Sequence, residues 1–327
     1  MVGITRRKAL GGAALVGLAP ALAHGQGSGW PNGPIRIVVP FAAGGSTDAV
    51  ARLAASGLQP RLGVPVVVEN RSGAAGSIGT DLVAKAKPDG QTWLITFDSH
   101  ATMPALLGRL PFDLTGDLDP VMLIGGAPYV IATQAAKPYR SMQDVIAAAR
   151  ARPEGVSYAS TGNGTIGHLA MILLTDRAGV RMAHLPYRGG GLAVNDTVAG
   201  HVDCMIGSAA LVAPQIAGGT LRPLLQFGAT RLPALSGVPT AAEAGFPGLE
   251  AVAWWGVFAP HGTPEPIVSR FATALRETFQ EERIRRQMEE NQQARLDLAG
   301  AEELRRFLDR QIETWGRVVR ENGVKAD

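Results

Sequence analysis

Two turns rich in glycine and hydroxyl side chains are the parts of the sequence best suited to hold a small anion. Residues 43–48 read AGGSTD and residues 160–165 read STGNGT, each between an apolar strand-like stretch and a helix-like stretch. A helix start presents unpaired N–H groups and partial positive charge, and glycine lets a ligand approach the backbone. Neither turn contains lysine or arginine. The pattern therefore favours a carboxylate over a polyphosphate.

Residues beside the second turn are further candidates. Tyr187, Arg188 and Gly189 begin the stretch YRGGG at 187–191, whose glycines expose the backbone. Arg188 would either meet a second carboxylate of the ligand bidentately or lie at the surface. His168 falls at the start of the helix after the turn, where a hydrogen bond to the ligand and a simple helix cap explain it equally well.

Motifs for other chemistries are incomplete. Residues 162–167 form a literal GxGxxG, but no acid lies about 20 residues further on, which argues against a dinucleotide site. Ser77 has alanine where the G-x-S-x-G motif needs its first glycine. Cys204 is predicted to be a core residue, and no set of ligands has metal-binding spacing. We predict no catalysis, cofactor or metal; a hydrolase using Ser77 or a His/Cys pair is the enzyme alternative.

Alternating strand and helix patterns predict α/β layers that position the two turns. Nearly continuous apolar runs are typical of parallel strands buried on both faces. The predicted strands are residues 35–40, 64–69, 92–97, 121–124, 129–133, 156–159, 203–206 and 221–227, and the predicted helices include 48–59, 142–151, 168–178 and 191–199. Two amphipathic helices follow residue 264 and are expected to form a closing layer.

The first 23 residues predict export. Thr5, two arginines and Lys8 precede an apolar run that ends in Ala-Leu-Ala, as in a signal peptide cut after Ala23. The twin-arginine and the general secretory routes both fit. Without this segment, basic and acidic residues balance, so the net charge of +3 gives no case for nucleic acid. The single cysteine excludes an intramolecular disulfide.

An ordered series of motifs resembles the Bug-type receptors, which are solute-binding proteins of tripartite tricarboxylate transporters. It includes IVVPFAAGGSTD at 37–48, VENRSGAAG at 68–76, KPDG at 87–90, PYRG at 186–189, VPTAAEAG at 238–245 and WGVFAP at 255–260. The matches cover essentially the whole chain after the predicted signal peptide.

The resemblance implies an α/β periplasmic-binding-protein fold of type II, with two domains that close on a ligand at a hinge. Domain 1 would comprise residues 24–124 and 229–327, and domain 2 residues 125–228. The implied protein is a periplasmic monomer that binds a small organic acid and delivers it to membrane transporter subunits. A sensory module that feeds a signalling receptor would share this fold.

In the family, both turns hold the ligand's carboxylate. The candidates for ligand binding are Ala43, Gly44, Gly45, Ser46, Thr47, Asp48, Ser99, His100, Ser160, Thr161, Gly162, Asn163, Gly164, Thr165, His168, Tyr187, Arg188, Gly189 and Asp203. Residues 98–100 correspond to the far end of the pocket. An acid there, Asp98, would repel a second carboxylate.

Overall fold

The computed structural model describes residues 29–187 and 189–326, so the predicted signal peptide and Arg188 lie outside the described residues. The strands are β1 (Ile35–Val39), β2 (Val66–Asn70), β3 (Thr92–Phe97), β4 (Leu118–Gln134), β5 (Ser157–Ser160), β6 (Ala183–Pro186), β7 (Cys204–Ser208), β8 (Leu221–Gln226), β9 (Val252–Pro260) and β10 (Arg295–Ala299). The helices are α1 (Ser46–Leu62), α2 (Ser77–Ala84), α3 (Ser99–Leu107), α4 (Met142–Ala151), α5 (Ile166–Ala178), α6 (Gly190–Val198), α7 (Ala209–Ala217), α8 (Glu265–Gln280), α9 (Glu282–Arg286) and α10 (Ala301–Glu321). None of these helices combines the length and apolarity needed to cross a membrane.

Two groups of parallel strands carry the loops that form the site. In the first half of the fold, β1 pairs in parallel with β2 and β3. In the second half, β5 pairs in parallel with β6 and β7. Helices α1, α3, α5, α6 and α7 each begin just after one of these strands. Ligands of open α/β sheets bind beyond the carboxyl ends of such strands.

Strand β4 belongs to both halves of the sheet. From Leu118 to Pro128 it pairs antiparallel with β9, and β10 pairs with it near Gly125. From Tyr129 onward its partners are β7 and β8. The domain limits drawn from the sequence, with crossings near residues 124 and 228, stay a prediction.

The sequence-based division of this strand into residues 121–124 and 129–133 is wrong, because β4 runs without a break. Gly125 and Gly126 suggest a turn, but they sit where neighbouring strands approach closely. A Cβ on Gly125 would lie 2.1 Å from the Arg295 carbonyl oxygen, and one on Gly126 would lie 2.7 Å from that of Ala253. The glycines therefore permit close strand packing.

Large aromatic side chains fill the core of the first half. Trp93 of β3 stacks on Phe271 of α8, with ring centroids 3.7 Å apart, and both side chains are fully buried. Helix α8 also packs on α1. The predicted closing layer thus packs on α1, which follows the first turn, and on β3, which pairs with β1.

Cys204, at the start of β7, is fully buried, as the sequence predicts. Burial raises the pKa of its thiol to about 12. Because the thiolate is the reactive species, we expect the native protein to react with a disulfide reagent at pH 8 at least about 100-fold more slowly than the urea-unfolded chain. Equal rates in a thiol-release assay would contradict this burial.

Candidate functional site

A cavity of about 480 Å³ lies where the helix starts of both halves meet. Its wall comprises Phe41, Ala42, Ala43, Gly44, Gly45, Ser46, Thr47, Asp48, Phe97, Ser99, Tyr129, Thr161, Thr165, Gly189, Gly190, Gly191, Leu192, Asn195, Ser208 and Leu211. The volume falls in the usual range for small-molecule sites. The wall includes residues from the loops and helix starts that follow β1, β3, β5, β6 and β7.

The first turn enters α1 through Gly44 and Gly45. Gly44 has φ of +84°, a conformation that favours glycine, and its N–H donates to Asp48 Oδ2 at 3.0 Å. Arg52 Nε donates to the same oxygen at 2.9 Å. Burial raises the pKa of Asp48, but the hydrogen bonds from Arg52 and Gly44 outweigh it and hold the pKa below its usual range. Asp48 is therefore an ionised part of the turn.

The first turn of α3 contributes one hydroxyl. Ser99 is 4% exposed, lines the cavity, and its Oγ has no hydrogen-bond partner within the described ranges. Asp98, the preceding residue, is fully buried and accepts a hydrogen bond from the Tyr129 hydroxyl at 2.7 Å. Asp98 is not part of the cavity wall, whereas Tyr129 is.

The second turn enters α5 through Thr165. The Thr165 hydroxyl accepts from the His168 N–H at 3.4 Å and donates to the Gly162 carbonyl at 2.9 Å. His168 Nδ1 accepts from the Gly164 N–H at 3.1 Å, and its ring stacks on His184. Burial and the neighbouring His184 lower the pKa of His168 to about 3. His168 is therefore a neutral group that braces the turn.

Two further helix starts complete the wall. Gly189, with φ of +116°, precedes α6, whose first turn contains Gly190, Gly191 and Leu192. Ser208 is the N-cap of α7, and neither helix has a side-chain cap hydrogen bond. Their first N–H groups lack partners within the helix and lie beside the cavity.

The electrostatic character of the cavity comes from the backbone. No lysine or arginine within residues 29–187 and 189–326 lines it, and Asp48 is the one acid in that described wall. Helix starts carry partial positive charge, so five of them favour an anion without a cationic side chain.

The structure brings part of the predicted set together at the cavity. These residues are Ala43, Gly44, Gly45, Ser46, Thr47, Asp48, Ser99, Thr161, Thr165 and Gly189. The wall does not include His100, Ser160, Gly162, Asn163, Gly164, His168, Tyr187 or Asp203. Ligand contact by any of these residues stays a prediction, and Arg188 lies outside the described residues.

Other contacts engage several of the predicted residues that lie away from the wall. Asp203 forms an ion pair with Lys137 at 3.0 Å and accepts from the Ser157 N–H at 2.9 Å. The Tyr187 hydroxyl donates to Asp196 at 2.6 Å. His100 is fully buried, and burial lowers its pKa to about 3. These side chains support the surrounding structure.

Sequence reasoning missed the apolar wall and the start of α7, and of the α6 start it selected only Gly189. The missed residues are Phe41, Ala42, Phe97, Tyr129, Gly190, Gly191, Leu192, Asn195, Ser208 and Leu211. A glycine run directly before the predicted helix at 191–199 was a usable signal for α6. Nothing in the sequence distinguishes Phe41 and Phe97 from core residues.

The chain is similar to known receptors in both sequence and structure. The family model described as the tripartite tricarboxylate transporter family receptor matches residues 50–324. BugT of Bordetella pertussis (strain Tohama I) is 37% identical over 298 residues, covering 90% of this chain and 91% of BugT. The structure of the periplasmic binding protein BugD has a TM-score of 0.84 and 32% identity, covering 90% of this chain and 100% of that chain.

A ligand-bound structure is also similar. The structure of R. palustris Rpa4515 with adipate has a TM-score of 0.85 and 32% identity, covering 90% of this chain and 99% of the other. These likenesses confirm the predicted α/β periplasmic-binding-protein fold with two domains.

Proposed function

The chain belongs to the family of tripartite tricarboxylate transporter receptors, and we propose that it captures a small organic carboxylate in the periplasm for a membrane transporter. Membership confirms the Bug-type resemblance and makes the chain a solute-binding protein rather than an enzyme. The adipate in the similar R. palustris structure supports a carboxylate as ligand. The same family relationship supports the proposed export and delivery to transporter subunits.

One observation carries the carboxylate proposal: five helix starts converge on one cavity. Hydrogen bonds to a charged group contribute about 1.5–3 kcal/mol each, and a helix terminus adds about 0.3–1 kcal/mol. Four or five such bonds, less ordering costs, reach the roughly 8 kcal/mol of a micromolar complex. The Ser99 hydroxyl is buried at the wall without a partner in the described residues, so it can donate to the anion.

Domain closure explains why the wall has two sides. The starts of α1 and α3 come from one half, and those of α5, α6 and α7 come from the other. A ligand that touches both sides binds the closed arrangement better and shifts the population toward it. Rotation within the two crossings would separate the sides and release the ligand.

Thermal shift measurements test this function. The protein is unfolded and refolded to remove any bound solute, then heated with mono-, di- and tricarboxylates, amino acids, aromatic acids and nicotinamide cofactors. A ligand at about 100 times its Kd adds about 2.7 kcal/mol, which raises the midpoint by several degrees. We expect a rise with a class of carboxylates. No rise with any carboxylate would refute the proposal, and ester turnover would favour a hydrolase.

A further inference from the structure

The cavity has an apolar side as well as a polar one. Phe41 and Phe97 line it from the first half, with their rings edge to face and centroids 6.2 Å apart. Phe97 also packs against the buried Trp255, at 6.0 Å between centroids. These contacts hold the two phenylalanine rings in place. An apolar surface of this kind binds hydrocarbon.

Leucines from the second half extend the apolar side. Leu192 lies in the first turn of α6 and Leu211 in the first turn of α7, both at the cavity wall. Leu211 packs so closely on the start of α6 that a Cβ on Gly190 would lie 2.6 Å from its Cδ2. Leu192 is 58% exposed. A ligand with a hydrocarbon body would cover this exposed surface.

The described wall gives a second carboxylate no cationic partner. Asp48 is an ionised acid there, and its Oδ2 is already paired with Arg52 and the Gly44 N–H. No cationic side chain of the described residues faces it across the cavity. A second carboxylate would lose its hydration beside leucine and phenylalanine. One carboxylate at the helix starts satisfies the polar side.

We propose that the ligand is a monocarboxylate with an apolar body, a ring or a branched chain, bound in preference to di- and tricarboxylates. The proposal rests on the carboxylate-binding function argued above and narrows it. The carboxylate contacts the helix starts and the Ser99 hydroxyl, and the body lies against Phe41, Phe97 and the two leucines. The preference arises because the carboxylate accepts hydrogen bonds from the helix starts, while the apolar body contacts apolar side chains.

Titration calorimetry with matched acids tests the preference. Hexanoate and adipate have the same chain length and differ by one carboxylate, and 3-phenylpropanoate adds a ring. We expect both monocarboxylates to bind at least about tenfold more tightly than adipate. Adipate binding as tightly or more tightly would overturn this inference and leave the proposed function standing. No binding of any carboxylate would overturn both.

A charge placed on the apolar side gives a second test. Leu192→Lys introduces a cation there, and we expect the ratio of hexanoate to adipate affinity to fall at least about tenfold. Ile78→Lys is the matched control, because Ile78 lies in the first turn of α2, is 56% exposed, and is not part of the cavity wall. An unchanged ratio in Leu192→Lys, with both variants folded by circular dichroism, would contradict the inference.

Discussion

Replacing Gly191 with leucine is expected to weaken ligand binding at least about 100-fold, close to 3 kcal/mol, while the fold remains intact. Gly191 lies in the first turn of α6 and lines the cavity. A Cβ at this position would meet no heavy atom within 4 Å. The leucine side chain would therefore fit the fold but occupy space that the ligand needs beside the α6 amides.

Stability should not fall in this variant. Leucine is a better helix former than glycine by up to about 1 kcal/mol. Gly237→Leu is a matched control, since Gly237 also has open space around its Cβ and is not part of the cavity wall. Calorimetric affinity and a urea titration of both variants complete the test. Retained affinity in Gly191→Leu would contradict the placement of the ligand at α6.

Gly44→Val and Gly162→Val, which the sequence alone suggests, are less clean tests. Gly44 has φ of +84° and Gly162 has φ of +141°, so any side chain at either position strains the backbone. Loss of binding in either variant could therefore result from a distorted turn or from a blocked ligand, and the two causes could not be separated. Gly191 avoids this ambiguity, because its helical backbone suits any L residue.

Replacing Asp98 with asparagine is expected to change the free energy of unfolding in a pH-dependent way. The change should be more favourable at pH 8 than at pH 5 by roughly 3 kcal/mol. Burial raises the pKa of Asp98 from 3.8 to about 7, although the hydrogen bond from Tyr129 opposes the shift. The folded protein therefore binds a proton more tightly than the unfolded chain does. The contribution of Asp98 to stability falls as the pH rises from about 4 to 7 and is constant above that.

Asparagine does not ionise, yet its side-chain oxygen can still accept from the Tyr129 hydroxyl. The buried, neutral His100 affects stability in the opposite direction. Its pKa is lowered from 6.5 to about 3, so its contribution to stability is lost as the pH falls from 6.5 to 3. His100 is present in both proteins, so its effect cancels in their difference. Urea unfolding at the two pH values measures that difference. A difference that does not change with pH would show that Asp98 is not desolvated.

The sequence predicted the part of the site that is local in the chain. A glycine turn between an apolar strand and a helix is visible without a structure, and α1 and α5 begin at or just after the turns that the pattern marked. The starts of α6 and α7 join the same cavity only because β5 pairs with both β6 and β7. Which strands lie side by side depends on the strand order of the sheet, and the hydrophobic periodicity of the sequence does not reveal that order.

Burial was the second property that the sequence could not supply. Asp98 and His100 are polar residues directly after a strand, a position that in this fold commonly faces a ligand. The structure buries both fully, whereas Ser99 between them reaches the cavity. Which side chains of a first helical turn point outward depends on how the helix is packed. Here α3 packs on α10, which lies about 200 residues further along the chain.

The long strand β4 also has a consequence for how the molecule folds. It is hydrogen-bonded to β9 and β10 in one half and to β7 and β8 in the other, so neither sheet is complete without it. If one half unfolds, part of β4 becomes disordered, and the sheet of the other half is weakened. Because the two halves share this connection, they are expected to unfold in a single cooperative transition.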